Sequence, residues 1–123
     1  LDLYFTSSPR SRHVRSLAFD ARLAGAIHAD ARDWRAIVGL QVSGLVEPVA
    51  PGALARARAV YAARFPFVAG DDARDPALAG ALASAAWYRM QIDEAVVIDN
   101  TQGLGQRRRW VRDAPTPRAA ASG

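Results

Sequence analysis

The alternation of hydrophobic and polar positions divides this chain into several short strands. In the first six residues, Leu1, Leu3 and Phe5 point to one side of an extended segment and the residues between them to the other, as is typical of a half-buried strand. Gly44, within a longer alternating segment, indicates a β-bulge or a close approach of another backbone. We predict strands at residues 1–6, 23–29, 34–49, 86–92, 96–100 and 106–112.

Helical spacing of hydrophobic residues predicts helices between these strands. Ser8 is suited to cap the first helix, with Pro9 at its first position, and Asp75 with Pro76 gives the same signal for the third. We predict helices at residues 9–18, 52–65 and 76–84. Asp93 and Glu94 are typical of a turn, and Gly103 and Gly105 of a hairpin connection.

Strands with inserted helices, without a regular βαβ alternation, predict a mainly β fold of the α+β type, a β-barrel with helical crossovers. The length of 123 residues suits one domain. We place this domain at residues 1–113 and expect the polar segment 114–123 to be a disordered tail. The chain opens at Leu1 inside a strand, so we expect that part of the amino-terminal region is missing.

Composition excludes several kinds of chemistry. The chain has no Cys, which rules out disulfides and thiolate catalysis, and only two His residues, His13 and His28, which argues against a His-rich metal site. All 16 basic residues are Arg, and the net charge of +4 permits nucleic-acid binding without requiring it, because the cations are scattered. No apolar run approaches the roughly 20 residues that span a bilayer. We expect a cytoplasmic protein.

The junction after the first strand concentrates polar chemistry. Cations in the first turn of a helix lie beside the positive end of its dipole, and a bound anion relieves that repulsion. Hydroxyl donors and Arg side chains together can hold a phosphate group. The junction therefore predicts a phosphorylated ligand, held by residues from the following set: Thr6, Ser7, Ser8, Arg10, Ser11, Arg12 and His13.

Three motifs, the first of which lies within this junction, carry a resemblance to a known family. They are Ser11-Arg12-His13, the Val-Tyr-Ala-Ala-Arg-Phe-Pro string at 60–66, and the Ile-Asp-Asn-Thr-Gln-Gly-Leu-Gly string at 98–105, which is followed by Trp110. With them, residues 1–112 resemble the YhbP-type subgroup of the pyridoxamine 5′-phosphate oxidase-like FMN-binding split-barrel superfamily. The string at 98–105 is the most specific part of the resemblance.

The resemblance implies a homodimer with two FMN molecules at its interface. It implies that Thr6, Ser11 and Arg12 contact phosphate or ribityl oxygens, that His13 stands where the oxidases carry Lys, and that the first strands and amino-terminal helix of the superfamily are absent from this chain. Asn100 and Arg107 would reach the flavin of the second subunit.

Two main hypotheses follow. The first is an FMN-dependent oxidoreductase of unknown substrate, in which the cofactor carries the electron chemistry and no catalytic residue can be assigned. The second is a non-catalytic split-barrel module that holds another flavin, a haem-like ring or no ligand. A basic nucleic-acid-binding domain is a third, weaker alternative.

Several candidate residues also have plain structural interpretations. Ser11 could act only as a helix cap, and His28 is more often a structural residue than a catalyst. The Arg residues at 107–109 suit a solvated edge strand, whose alternation divides their side chains between two faces. The aromatic residues Tyr61, Phe65 and Trp87 are expected to pack in the core or at a dimer interface.

Overall fold

The structure is a computed structural model that describes residues 1–113, with the side chains of residues 72 and 73 excepted, so the predicted tail at 114–123 lies outside the described residues. The main elements are β1 (Asp2–Ser7), α1 (Arg12–Leu17), β2 (Arg22–His28), β3 (Val38–Pro48), α2 (Leu54–Arg64), α3 (Pro76–Ser84), β4 (Ala86–Asp99) and β5 (Arg107–Val111).

All pairings in the sheet are antiparallel, and β4 takes part in three of them. β3 runs along one edge of β4 from Tyr88 to Asp99, and β2 adds to the outer edge of β3. The other edge of β4 is shared, because β1 pairs with residues 86–91 and β5 with residues 94–98. The prediction of a mainly β fold with inserted helices is confirmed.

The hydrophobic core lies on one face of β3 and β4. Leu3 and Phe5 of β1 pack against it, as their alternation predicts, and the ring of Phe5 stacks on that of Tyr88 at 5.4 Å. Val14 and Leu17 of α1 cover the same face. Burying each large side chain contributes about 1.5–3 kcal/mol. The buried members of this core are Val42, Val46, Tyr88, Met90, Ile92 and Ala95.

The prediction of a turn at Asp93 and Glu94 is wrong. The two strands predicted there form one strand, β4, whose register against β3 shifts between Ser43 and Gly44 so that Asp93 is left without a partner. Asp and Glu favour turns locally, but pairing with β3 on one edge and with β1 and β5 on the other keeps the backbone extended. The result is a β-bulge in place of a turn.

Gly44 lies at this bulge, and the predicted close backbone approach is confirmed. A Cβ atom at position 44 would stand 2.0 Å from the carbonyl oxygen of Gln91, which no side chain can tolerate. The two central strands therefore come together only because residue 44 is glycine.

Arg112 closes the gap between β1 and β5 on the edge of β4. Its guanidinium donates to the carbonyl oxygen of Ile92 from Nε at 3.1 Å and from Nη2 at 2.8 Å, and Nη2 also reaches the carbonyl oxygen of Leu1 at 3.4 Å. Its backbone N–H donates to the carbonyl oxygen of Asp93 at 2.7 Å. The backbone groups at the bulge thus have partners although no strand pairs with them there.

The start of the first helix differs from the prediction. The first helix begins at Arg12 and is capped by Ser11, whose hydroxyl accepts the N–H of Val14, while Ser8 accepts the N–H of Arg10 in the preceding turn. Several neighbouring hydroxyls can each cap a helix, so sequence alone did not separate Ser8 from Ser11.

The start of β3 is also later than predicted. The segment Trp34–Ala36 forms a 3-10 turn capped by Asp33, whose side chain accepts the N–H of Arg35 at 2.9 Å. The cap at Asp75 is confirmed, because its carboxylate accepts the N–H groups of Ala77 and Leu78 at the start of α3. The predicted glycine connection is confirmed as well, since Gly103 and Gly105 adopt positive φ between β4 and β5.

We expect Gly44→Ala to lower the free energy of unfolding by at least about 2 kcal/mol, because the new methyl group would force β3 and β4 apart. Gly25→Ala is the matched control, since its Cβ would meet only Val42 Cγ2 at 3.9 Å, and its effect should stay within about 1 kcal/mol. Urea unfolding followed by circular dichroism measures both. Equal stability of the two variants would contradict the close contact at Gly44.

Candidate functional site

Three side chains at the junction of β1 and α1 form a hydrogen-bonded cluster. The hydroxyl of Ser7 lies 2.7 Å from Nε2 of His13 and 3.1 Å from the hydroxyl of Ser11. The Ser11 hydroxyl in turn lies 3.3 Å from the same ring nitrogen. We call Ser7, Ser11 and His13 the hydroxyl–imidazole cluster.

The position of this cluster follows from strand alternation. Ser7 ends β1 on the same side as Leu3 and Phe5, which face α1 across the core, so its hydroxyl meets the first turn of that helix. Thr6 is the adjacent residue and therefore points to the opposite face of the sheet. The structure brings Ser11 and His13 together with Ser7, and it does not bring Thr6 to them.

Ser7 belongs to the predicted set of junction residues, but the family resemblance singled out Thr6 and not Ser7 as the contact from β1. The signal for Ser7 was present, because the alternation that places Leu3 and Phe5 on the core side also places Ser7 there.

A cleft of about 470 Å³ opens beside the cluster, between α1 and β2. Arg12 and His13 contribute to it from α1, and Arg22 from the start of β2. Arg22 also pairs with Asp93 at 3.5 Å, whereas Arg12 has no ion-pair partner among the side chains described. The described lining consists of Arg12, His13, Ser16, Leu17, Asp20, Arg22 and Leu23.

This cleft has the donors that an anion requires. Two guanidinium groups and an imidazole surround it, with hydroxyls next to them and a single carboxylate, that of Asp20, in its described lining. Charge-assisted hydrogen bonds from Arg suit the oxygens of a phosphate or carboxylate. Because α1 has only six residues, these side chains rather than a helix dipole supply the positive potential.

Asn100 and Arg107, the predicted site residues near the carboxyl end, lie away from the cleft beside α1. Asn100 fixes the loop after β4, because its side-chain amide donates to the carbonyl of Trp34 at 2.8 Å and its oxygen accepts the N–H of Gly105 at 3.0 Å. Arg107 lines a separate cleft of about 630 Å³ with Asp99, Gln102 and Arg108. Within one chain, neither residue lines the cleft beside α1.

His28 lies at the end of β2, beside a shallow apolar cleft of about 200 Å³. Ile27, Ile37, Leu40 and Ile98 supply its hydrophobic walls. Across residues 1–113, no group of three His, Cys, Asp or Glu side chains is placed to hold a metal ion. In the same range, no helix has the length and apolar character to cross a membrane.

The cations of β5 are divided as their alternation predicts. Arg109 lies on the same face as Glu94 and donates to its carboxylate at 2.7 Å, while Arg108 pairs across from Val97 on the other face. The hydrogen bond from Arg109 lowers the pKa of Glu94, and the carboxylate raises the pKa of Arg109. Arg89 has a raised pKa for the same reason, since it donates to Glu47 and pairs with Asp2.

Solved structures resemble the fold described above. A haem-binding protein from Mycobacterium smegmatis superposes with a TM-score of 0.58 at 20% identity, over 88% of this chain and 41% of that protein. The protein Atu2129 of unknown function from Agrobacterium tumefaciens superposes with a TM-score of 0.58 at 21% identity, over 76% of this chain and 37% of that protein. The chain thus spans about two fifths of their length. These similarities confirm a split-barrel-like fold.

Curated sequences are similar over almost the whole chain. The UPF0306 protein YhbP of Salmonella schwarzengrund is 26% identical over 117 residues, which cover 95% of this chain and 71% of that protein. A UPF0306 protein of Klebsiella pneumoniae is 28% identical over 116 residues, which cover 94% of this chain and 71% of that protein. The similarity to YhbP proteins that the motifs indicated is therefore confirmed. No protein-family model matches the sequence.

We expect Arg109→Gln to raise the pKa of Glu94 toward its ordinary value, because the carboxylate loses the hydrogen bond and charge that lower it. With Arg109 present, the stabilisation from this pair holds at neutral pH and is lost as the pH falls through the depressed pKa. Carboxyl ¹³C shifts followed through a pH titration measure the change. Arg108→Gln, on the opposite face, should leave Glu94 unchanged; a shift of equal size there would contradict the pairing.

Proposed function

We propose that this protein is an FMN-binding split-barrel flavoprotein that holds the cofactor phosphate at the cleft between α1 and β2. The observation that carries the proposal is the convergence of Arg12 and the hydroxyl–imidazole cluster on one end of the sheet. Resemblance to the pyridoxamine 5′-phosphate oxidase-like superfamily supports FMN as the phosphorylated ligand. As in that superfamily, we place the protein in the cytoplasm.

The donor set suits a phosphate monoester. Arg12 is free to make charge-assisted hydrogen bonds to phosphate oxygens, and the hydroxyls of Ser7 and Ser11 can rotate to donate to the same group. His13 orients both hydroxyls through its Nε2 atom and adds a positive charge when protonated. FMN, when bound, supplies reversible electron transfer, so an oxidoreductase role requires this chain only to bind and orient the cofactor.

A second copy of the chain would complete the site in this proposal. Asn100 and Arg107 lie outside the cleft in a single chain, in keeping with a role toward the cofactor of a partner subunit. Exposed hydrophobic side chains on the core side of the sheet, including Ile27, Val38 and Trp110, support a homodimer, since such residues are commonly covered in an interface. The contact of Thr6 with the cofactor stays a prediction.

We expect Arg12→Ala to weaken FMN binding by more than tenfold, because Arg12 lines the cleft proposed for the phosphate and forms no ion pair among the described side chains. Fluorescence quenching during titration with FMN measures the affinity. Riboflavin, which lacks the phosphate, should bind the wild type and Arg12→Ala with similar affinity. Arg15→Ala is the matched control on the same helix. FMN affinity that is unchanged in Arg12→Ala would remove this residue from the site.

A second candidate function is a non-catalytic module that holds a haem-like ring. The position of His28 beside the apolar cleft of Ile27, Ile37 and Leu40 favours it, because an imidazole next to a hydrophobic surface can serve as an axial ligand. A structural neighbour is described as a haem-binding protein. A nucleic-acid-binding role is less favoured, since Arg22, Arg89, Arg109 and Arg112 are all engaged with carboxylates.

For this second candidate, we expect His28→Ala to abolish the shift of the Soret band that accompanies haem binding, while His13→Ala leaves the shift in place. Absorption spectra recorded during titration with haemin test it. If both variants bind haemin as the wild type does, His28 is not an axial ligand. Flavin bands in the purified wild-type protein, with FMN released on heating, would favour the first proposal over this one.

A further inference from the structure

A further cleft lies on the opposite side of β4, away from the core and from the hydroxyl–imidazole cluster. It has a volume of about 360 Å³ and is formed by α2, α3, the turn Pro66–Val68 and Trp87. This volume lies within the range of small-molecule sites. The side chains that define it are Arg58, Ala62, Val68, Leu82, Ala83 and Trp87.

Within the described part of the chain, no element encloses the helix α3, although its composition is that of an enclosed helix. Its nine residues, Pro76–Ser84, include no charged side chain, yet none of them is buried. Helices without a polar face are normally enclosed by other elements. Here Leu82 and Ala83 face the cleft instead of a packed surface, so an apolar group placed in the cleft would complete the packing of α3.

Trp87 provides an aromatic wall of the cleft. Its indole meets the ring of Tyr61 edge-on at 5.2 Å, and Tyr61 packs against Phe65 at 4.9 Å, which in turn lies 5.9 Å from Phe67. Tyr61, Phe65 and Trp87 were predicted to pack in the core or at a dimer interface; in a single chain they pack on one another, outside the main core cluster and beside the cleft. A rigid aromatic surface favours a flat or aliphatic ligand of matching size.

Arg58 is the charged residue in the described lining of this cleft. It lies on α2 and forms no ion pair with any carboxylate among the described side chains. Arg64 on the same helix is engaged differently, with its guanidinium 5.1 Å from the ring of Phe65. An apolar chamber with one guanidinium at its border has the complementarity of a small organic acid.

We infer that the cleft between α2 and α3 binds a small aromatic or aliphatic carboxylate. The apolar body of the ligand lies between Trp87 and Leu82, and its carboxylate meets the guanidinium of Arg58. The site is independent of the proposed FMN function, because it lies on the other face of the sheet and shares no described lining residue with the cleft beside α1.

The test uses naphthalene-2-carboxylate as the probe and isothermal titration calorimetry on the full chain. We expect saturable binding of one probe per chain, weakened about tenfold or more by Arg58→Gln through loss of the charge-assisted hydrogen bonds. Arg56→Gln, which removes a cation of the same helix that does not line the cleft, should bind the probe as the wild type does. Naphthalene-2-carboxamide, which has no charge, should bind about tenfold more weakly than the carboxylate.

A second variant, Ala62→Phe, distinguishes loss of the cleft from loss of folding. Ala62→Phe would fill the cleft from α2, so it should abolish probe binding while the circular dichroism spectrum and the FMN affinity stay unchanged. Absence of probe binding to the wild type, or equal loss in Arg58→Gln and Arg56→Gln, would overturn the inference. So would a change of sedimentation coefficient in Ala62→Phe from dimer to monomer, since the cleft would then be an interface between two copies.

Discussion

The contact between Gly44 and the backbone of Gln91 is the constraint on which the rest of the sheet depends. Because no Cβ stands between them, β3 and β4 pair on both sides of the bulge, and β4 can continue as one strand past Asp93. The continuity of β4 gives its free edge two separate partners, β1 on the first half and β5 on the second. A side chain at position 44 would meet the backbone of Gln91 and disturb the pairing of β3 with β4.

Because β1 and β5 pair with different halves of one edge of β4, the candidate ligand-binding groups are also separated. β1 brings Ser7 to the first turn of α1, so the anion-binding donors gather at one end of the sheet. β5 and its preceding loop carry Arg107 and Asn100 on the other half of the same edge. In the proposed dimer, the donors beside α1 of one subunit would lie near Asn100 and Arg107 of the other. The cleft between α2 and α3, by contrast, is lined by residues of a single chain.

Sequence patterns predicted the features that depend on local chemistry. The alternation of Leu3 and Phe5 and the cap at Asp75 were correct, because each depends on residues close in the chain. Asp93 was misassigned because its conformation is set by strands distant in sequence, and Ser8 because several neighbouring hydroxyls compete for one cap. The place of Ser7 beside the first turn of α1 could have been derived by extending the alternation one step, while the position of the clefts needed the packing of α1, α2 and α3.

Arg112 closes the gap, or seam, between β1 and β5 on the edge of β4, and its contacts differ from those of the other Arg residues. Arg112 holds the seam mainly through the carbonyl oxygens of Ile92 and Leu1, which do not take up protons, and only secondarily through Asp93 at 3.7 Å. The main contacts of Arg112 therefore do not depend on the charge of a carboxylate, whereas Arg22 and Arg89 are held by carboxylates alone, Arg22 by the same Asp93 and Arg89 by Asp2 and Glu47.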